Sequence, residues 1–553
     1  MSRLTIQTRR PGLGGAFAGL ALELAPYVAA IAAFLGGAMM VASAATPAVR
    51  DRLTFVAKFA PIVVIEFSHF AASMVGLLLM LVGSGLWARR QGAYWAALAL
   101  LIVGAAFSLT KGLEYEAAAL LLIVALGLWP ARKAFDRPSR AFSGQIAWVW
   151  ILAAAAAVIS AGLLGFWSYD QKVFTDEMLW TFVRDGDASR SVRAGVVVAL
   201  ATLIIALWSL FSTPSPRVKR PGPEELAQVA ALLDATPGVR ADARIWLSGD
   251  KDFLFSDSGQ SVLAYRIRRR HWIVLGDPVG PAAERSELMW RLVEAADRAG
   301  GRAIFYGVSA DLLPSLAAMG FVMRLVGEDA IVDVAAFSLT GKARQNLRTA
   351  CNRAAGEGWT FDVLPPGSAS ALAPELAAVS GAWLARHASG EKGFSMGFFD
   401  PDYLDRDYLA VVRREGRILA FANLQTASDS HEAGIDLMRH LPEAPSGLMD
   451  FLLVSLIEWA RANGYAEFNL GMAPLSGLEN RRLAPIFARI GALVFAEGGA
   501  LYSFQGLHAF KAKFGPAWRP VYMAGRPGAS LTLALLDVAL LTGGGWRGVF
   551  LKG

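Results

Sequence analysis

Only one cysteine, Cys351, occurs in the 553 residues. No intrachain disulfide can form, and the soluble part reads as belonging to a reducing, cytosolic compartment. Cys351 has no evident histidine partner and reads as an ordinary helix residue. The chain also lacks the Cys/His spacing of a zinc site, a Walker loop and a nucleophile elbow, which removes three common routes to catalysis. Gly12-Leu-Gly-Gly-Ala-Phe17 is glycine-rich, but it follows no strand and precedes an apolar run, so it is not read as a nucleotide loop. A cleavable leader is not expected either. Met1–Pro11 is polar and basic, and the apolar run behind it is too long for the h-region of a signal peptide.

What the chain has instead is apolar length. Hydrophobic residues make up 55% of it, more than a soluble protein of this size averages. The runs fall before a seam at Ser212–Pro223, Ser-Thr-Pro-Ser-Pro-Arg-Val-Lys-Arg-Pro-Gly-Pro. About six spans of membrane length are read there, Leu22–Ala45, Pro61–Trp87, Tyr94–Thr110, Ala117–Trp129 (the shortest), Ile146–Trp167 and Ala194–Phe211. With six spans, Arg9/Arg10, Arg89/Arg90, Arg132/Lys133/Arg137/Arg140 and Arg217/Lys219/Arg220 share one side, which the positive-inside rule makes cytoplasmic. The net charge of +7 suits contact with anionic lipid or another polyanion such as RNA. Glu66, Ser68 and His69 lie inside the second span, where an ionisable group is a functional candidate or an interhelical polar contact.

After the seam the pattern is that of a soluble α/β protein. Strands are expected at Asp252–Ser256, Ser261–Ile267 and His271–Leu275, a helix at Arg285–Ala299, a strand at Ala303–Val308, a helix at Asp311–Met319 and a strand at Arg324–Asp333. A second round follows, with a helix at Glu375–His387, strands at Leu409–Arg413, Arg417–Gln425 and Glu432–Arg439, a helix at Gly447–Asn463 and a strand at Glu467–Leu470. Two rounds of strands, helix and strand predict a duplicated α/β unit with a mixed sheet. The expected domains are 1–213 in the membrane, 214–345 and 346–553. The apolar run Leu531–Leu541 reads as a core helix, with a membrane-lying helix as the alternative.

Several segments offer chemistry. Gly276-Asp-Pro-Val-Gly280 follows a strand and exposes backbone amides, as a binding loop or as a plain turn. Alternation places Asp436 and Met438 on one face of a strand, with Leu437 and Arg439 on the other. Asp436 suits a general base or an ammonium partner, and Arg439 a phosphate; a structural ion pair is the alternative. Phe468-Asn-Leu-Gly-Met-Ala-Pro-Leu-Ser-Gly477 ends a strand in a glycine-rich loop with the Asn469 amide. Lys511 and Lys513 lie among aromatics, suited to phosphate and base stacking or to a solvated helix face. Lys342, Arg344, Arg348 and Arg353 form a basic run that suits nucleic acid or an exposed interdomain helix. Trp383, Arg386, His387 and the loop Glu391–Phe399 read as a lid or pocket wall.

Taken together, Phe253-Leu-Phe-Ser-Asp-Ser-Gly259, Leu275-Gly-Asp-Pro-Val-Gly280, Phe394-Ser-Met-Gly397, Ala420-Phe-Ala-Asn423, Asp436-Leu-Met-Arg439, Met449-Asp-Phe451, Phe468-Asn-Leu-Gly-Met-Ala-Pro-Leu-Ser476 and Phe510-Lys-Ala-Lys-Phe514 resemble the aminoacyl-phosphatidylglycerol synthases, the multiple peptide resistance factor family of bacterial inner membranes. Glu66-Phe-Ser-His69, Gly85-Leu-Trp-Ala-Arg-Arg90 and Lys111-Gly-Leu-Glu-Tyr-Glu116 extend the resemblance into the membrane half. It implies two tandem GNAT-type acyltransferase units fused to a multi-pass membrane domain, with the catalytic part cytoplasmic. The implied reaction moves an amino acid, most commonly lysine, from aminoacyl-tRNA to a hydroxyl of phosphatidylglycerol, and confers resistance to cationic peptides. Alanine as the donor, or a lipid flippase retaining the synthase fold, are the alternatives. Partners are the tRNA donor, the lipid acceptor, the membrane and a second copy of the chain. No metal and no cofactor are called for, because the ester is already activated. The implied catalytic residues are Asp436, Arg439, Lys511 and an acidic residue at Glu328 or Asp329. Asp257, Gly276, Asp277, Asn423, Asn469, Gly471 and Lys513 are expected to bind substrate. A lysine pocket needs a further acid, and Glu391, Asp400 and Asp402 are the candidates. Full-length members carry about fourteen spans, so the shorter membrane half here departs from the family pattern.

Overall fold

The computed structural model of the chain describes residues 13–45, 62–112, 114–137, 219–387, 390–497, 504–528 and 530–544. Two compact units divide it, Met1–Ser215 with Arg298–Gly300, and Pro216–Asp297 with Gly301–Gly553.

In the first unit, helices Leu13–Ala45, Ile62–Trp87, Gln91–Gly112 and Tyr115–Leu128 coincide with the first four expected spans. The last continues through a 3-10 segment, Trp129–Ala134, which lengthens the span that looked too short. Among the described residues, Ala21–Ser43, Gln91–Leu109 and Tyr115–Ala134 are long and apolar enough to cross a membrane. The expected spans Ile146–Trp167 and Ala194–Phe211 lie outside the described residues, as do the side chains of Glu66, Ser68 and His69. Small residues let the first two helices touch: a Cβ on Gly37 would fall 2.4 Å from the Gly76 carbonyl oxygen, and one on Gly76 2.7 Å from that of Gly37. The Arg137 amide donates to the Arg89 carbonyl at 3.2 Å. The basic groups at 89–90 and 132–137 therefore share one end of this helix group, as the loop-charge reading requires.

The second unit is built on one eleven-stranded mixed sheet: β1 Asp252–Phe255, β2 Val262–Arg268, β3 His271–Leu275, β4 Arg302–Val308, β5 Val322–Asp333, β6 Trp359–Leu364, β7 Tyr408–Arg414, β8 Arg417–Thr426, β9 Glu432–His440, β10 Glu467–Pro474 and β11 Ala517–Gly525. Their order is β1-β2-β3-β4-β11-β5-β10-β9-β8-β7-β6. The two expected rounds are visible as topology. Antiparallel β1-β2-β3 lead through helix Ala282–Arg298 to β4, parallel to β3. Antiparallel β7-β8-β9 lead through helix Leu448–Ala462 to β10, parallel to β9. Both crossover helices are amphipathic. The first buries Leu288, Met289, Leu292, Val293 and Ala296, and the second Leu452, Leu453, Leu456, Ile457 and Ala460, the i, i+1, i+4 spacing of one helix face.

The two rounds are not separate sheets. β11 comes from the end of the second round and lies between β4 and β5 of the first, antiparallel to both. β5 then pairs with β10, so hydrogen bonding runs unbroken across the unit. Helix Ser530–Thr542 is a core element, as read. Leu531, Ala534 and Val538 pack into the core beside β2 and β3, and buried Asp537 meets His271 Nδ1 at 2.7 Å.

Candidate functional site

The central fact of the site is that β9 and β10 part. They pair only from Glu432–Gly434 to Glu467–Asn469. Beyond that point β9 stays with β8 alone and β10 with β5 alone. Both strands are bulged where they separate. On β9, Asp436 and Leu437 stand opposite the single residue Asn423. On β10, Leu470 and Gly471 stand opposite Ala330, with Gly471 at φ +81°. Side chains repair each bulge. Asn423 Oδ1 accepts the Leu437 amide at 2.7 Å, and Asn469 Oδ1 accepts the Gly471 amide at 2.7 Å. Both asparagines are buried, so their amides are satisfied at a cost that an apolar residue could not meet.

The β9 bulge aims Asp436. Its Oδ1 accepts the Gly397 amide at 2.8 Å and its Oδ2 the Tyr403 hydroxyl at 2.7 Å. Tyr403 in turn accepts from Gln425 Nε2 at 3.0 Å. Gly397 is obligatory here, because a Cβ would fall 1.8 Å from Asp436 Oδ2. Burial pushes the Asp436 carboxyl above the ordinary carboxylate range, while the Gly397 and Tyr403 donors and the Lys251 ammonium pull it back. Tyr403, buried beside that carboxylate, is held well above the usual phenol range and stays protonated.

Arg439 is also occupied. Its Nη2 donates to Glu391 Oε2 at 2.7 Å, its Nη1 to Ser380 Oγ at 2.9 Å, and its guanidinium lies 4.7 Å from the Trp383 ring centre. Strict alternation predicts Asp436 and Arg439 on opposite faces. The bulge absorbs one residue, and both side chains take their partners from the segment Ser380–Tyr403. Asp436 and Arg439 thus fasten the loop read as a lid. A third tie holds that loop from the other side: the Phe394 amide, at φ +58°, donates to Asp250 Oδ2 at 2.6 Å, and the Phe394 ring is buried in the core of the first round.

On β10, Lys511 reaches from helix Phe504–Ala512 and donates from Nζ to the Met472 carbonyl at 2.9 Å. A Cβ on Gly471 would lie 3.5 Å from that Nζ. Burial lowers the ammonium to a pKa of about 8, against the pull of Asp329. Of the two acidic candidates, Asp329 is buried and paired with Arg240 Nη2; burial pushes its carboxyl up, against the pull of Arg240 and, more weakly, of Lys511. Glu328 is less buried and abuts Gly477 in the loop after β10, where a Cβ would fall 2.8 Å from its Cδ. As consecutive residues of β5, the two point to opposite faces of the sheet. Glu432, at the base of the parting strands, accepts the Ala241 amide at 2.8 Å, and burial pushes its carboxyl up to about 7.

The remaining expected residues lie elsewhere. Asp257 is exposed in the β1–β2 turn at one sheet edge, paired with Arg291. Gly276 turns at φ +72° after β3, and Asp277 ties that turn to the end of β4 by accepting the Ser309 amide at 3.0 Å. Lys513 is paired with both oxygens of Asp450 at 3.0 and 3.1 Å. Asp400 caps helix Pro401–Leu404, accepting the Asp402 and Tyr403 amides, and Asp402 is exposed. Sequence reasoning missed Tyr403, Gln425, Glu432 and Arg240. Only Gln425 had a visible signal, a polar residue two positions after Asn423 in a strand otherwise apolar from Ile418 to Leu424.

The parted strands, the buried asparagines and the acid and lysine at their tips define an α/β protein with a cleft between two diverging strands. The chain belongs to the phosphatidylglycerol lysyltransferase family: the model of that family's C-terminal domain matches residues 230–525. It is 32% identical over 515 residues to a phosphatidylglycerol lysyltransferase of Bacillus subtilis (strain 168), covering 92% of this chain and 59% of that protein. The corresponding figures for the Staphylococcus aureus (strain MRSA252) phosphatidylglycerol lysyltransferase are 33% over 343 residues, 62% and 40%. The chain therefore spans about three-fifths or less of the length of these relatives. Among solved structures, a C-terminal domain (DUF2156) assigned to lysylphosphatidylglycerol synthetase from Agrobacterium fabrum is 43% identical, with a TM-score of 0.53, covering 59% of this chain and 99% of that one. L-PGS from Bacillus licheniformis is 35% identical, with a TM-score of 0.52, covering 60% and 99%.

Proposed function

We propose that this chain is a membrane-anchored aminoacyltransferase that moves lysine from lysyl-tRNA to a hydroxyl of phosphatidylglycerol. The observation that carries the reading is the Asp436–Tyr403–Gly397 constellation at the parting of β9 and β10, opposite Lys511 on the β10 side, in a chain of this family. In the reaction the lipid hydroxyl oxygen attacks the lysyl ester carbonyl. The C–O bond to the tRNA ribose breaks, and the lipid proton ends on the released ribose oxygen. An activated ester needs alignment, proton transfer and oxyanion stabilisation rather than an enzyme nucleophile. In our reading Asp436 holds the loop and the donor's ammonium, Lys511 stabilises developing negative charge beside Gly471, and Arg439 with Glu391 positions the loop wall. Glu328, at the Gly477 loop, faces the acceptor side.

The same reading takes the two rounds as tandem GNAT-type units sharing one sheet. It takes the chain as multi-pass in a bacterial inner membrane, with the second unit cytoplasmic. Lysylation turns an anionic lipid cationic, which lowers the negative surface potential that draws cationic peptides. The test is mass spectrometry of lipids from cells expressing the full chain, with and without Asp436→Ala. Lysyl-phosphatidylglycerol is expected from the native chain and not from the variant. An alanylated lipid would correct the donor, and no aminoacylated lipid at all would overturn the reading.

A further inference from the structure

Helix Ile486–Glu497 follows the loop that closes β10. Its inward side is fixed by Gly491, which is buried against Leu478, where a Cβ would meet Leu478 Cδ1 at 2.5 Å. Phe495 packs edge-on against His508 of the helix that carries Lys511, with ring centres 6.0 Å apart. The outward side is unusual for a soluble protein. Leu483 is 87% exposed, Ile490 57% and Leu493 56%, at spacings that align Ile490 and Leu493 on one helical face. Cations flank this face: Arg481, Arg482 and Arg489 are exposed, and Arg482 and Arg489 have no acidic partner among the described side chains. Arg481 pairs with exposed Glu479 at 2.6 Å.

Exposed leucine and isoleucine rimmed by arginine is the chemistry of an interfacial helix, whose apolar face enters the acyl boundary while its cations meet anionic head groups. The same chain carries helices of membrane-spanning length, so a bilayer is the apolar phase at hand. We infer that the segment Arg481–Leu493 docks on an anionic lipid surface and delivers the lipid to the β10 end of the cleft. The delivery clause rests on the proposed lipid transfer; the docking itself does not.

The experiment uses the full chain with Cys351→Ser, reconstituted in phosphatidylglycerol-containing vesicles that also hold doxyl-labelled phosphatidylcholine. Bimane is attached singly at Leu483→Cys, Ile490→Cys, Leu493→Cys or, as control, Glu375→Cys on an exposed helix turn. Quenching is expected at the first three positions and not at the control, and it should weaken in vesicles of phosphatidylcholine alone. Quenching no greater than at Glu375→Cys overturns the docking, whether or not the chain transfers lysine. In transfer assays, Leu483→Ser with Ile490→Ser and Leu493→Ser should raise the apparent KM for vesicle lipid about tenfold, the ratio that ~1.4 kcal/mol produces, with the KM for lysyl-tRNA unchanged. If Arg482→Glu with Arg489→Glu instead raises the KM for lysyl-tRNA alone and quenching is absent, the face binds RNA and the proposal falls.

Discussion

Replacing Tyr403 by phenylalanine removes one oxygen and leaves a buried ring that stacks near Phe398, with centres 6.3 Å apart. The lost hydroxyl is one of two donors to Asp436. A hydrogen bond to a charged group is worth ~1.5–3 kcal/mol, and this one favours the ionised carboxylate, so losing it should raise the Asp436 carboxyl further. It starts above the ordinary carboxylate range because burial outweighs its donors. An acid so raised keeps its proton to higher pH. The acid limb of the transfer rate should therefore move to higher pH in Tyr403→Phe, and the rate at neutral pH should fall. Stability carries the same sign. Between the ordinary and the raised value, the folded chain holds a proton that the unfolded chain has released. Stability drops as pH rises through that window, and the variant extends the window upward. The assay is the initial rate of lipid lysylation in membranes holding the full chain, from about pH 5 to about pH 9. A rate lowered equally at every pH, with the acid limb unmoved, would refute the electrostatic coupling of Tyr403 to Asp436.

Lys511 should set the opposite limb. With its pKa lowered to about 8, the ammonium is lost above that value, so transfer should decline on the alkaline side near pH 8, and Lys511→Met should abolish transfer while leaving expression intact; an alkaline limb retained in Lys511→Met would assign it elsewhere. Its contribution to stability runs the other way: the unfolded chain binds the extra proton between about 8 and the ordinary lysine value, so stability gains as pH rises through that window. Gly397→Ala places a methyl group 1.8 Å from Asp436 Oδ2, and overpacking of this kind costs ~1–3 kcal/mol; the melting temperature should fall and transfer with it, and wild-type behaviour of both would show that the loop is not held as described. Glu432→Gln keeps the shape of a carboxyl whose pKa is raised to about 7. Native Glu432 makes stability fall as pH rises from its ordinary value through 7, so the glutamine variant should gain in melting temperature at pH above 7 relative to the native chain, with the gain shrinking toward pH 5. A gain of equal size at both ends would mean that this carboxyl does not titrate there.

Element order was legible because strand and helix periods are local. His271–Leu275 agrees with its strand to the residue, and the other strands named from sequence lie within a few residues of theirs. β6 and β11 escaped. Pro520 lowers the strand signal of β11, since proline lacks the amide a ladder needs. The structure accommodates it because Ala517–Val521 pairs with β5 alone, and pairing with β4 begins at Tyr522. In the site, Asp436, Arg439 and Lys511 were visible as polar groups among apolar runs. Their relation was not. Alternation put Asp436 and Arg439 on opposite faces, and the bulge that undoes this depends on Asn423 across the strand pair. Tyr403, on a four-residue helix after a loop, carries no periodic signal at all. Lys513 looked like Lys511 in sequence. What separates them is that Asp450 lies within 3.0 Å of one and a backbone carbonyl lies beside the other.

The two rounds differ in how their parallel strands pair. In the first, parallel β3 and β4 pair over five consecutive residues with no register shift, and the pairing continues past the strand end through the Gly276 amide to the Tyr306 carbonyl at 2.8 Å. The far side of β4 is closed by β11. No wedge can open there without breaking ladder hydrogen bonds. In the second round the parallel pairing stops after Gly434 and Asn469, while β9 runs on to His440 beside β8. The two bulges allow this because each is repaired by an asparagine rather than left as a buried, unpaired amide. One round has thus become a closed scaffold, its sheet completed by a strand from the other end of the chain. The other leaves its parallel strands parted, with Asp436 on β9 and Lys511 beside β10. Substitutions at Asn423 or Asn469 act on the parting itself, whereas equivalent changes beside Gly276 act on the scaffold that holds it.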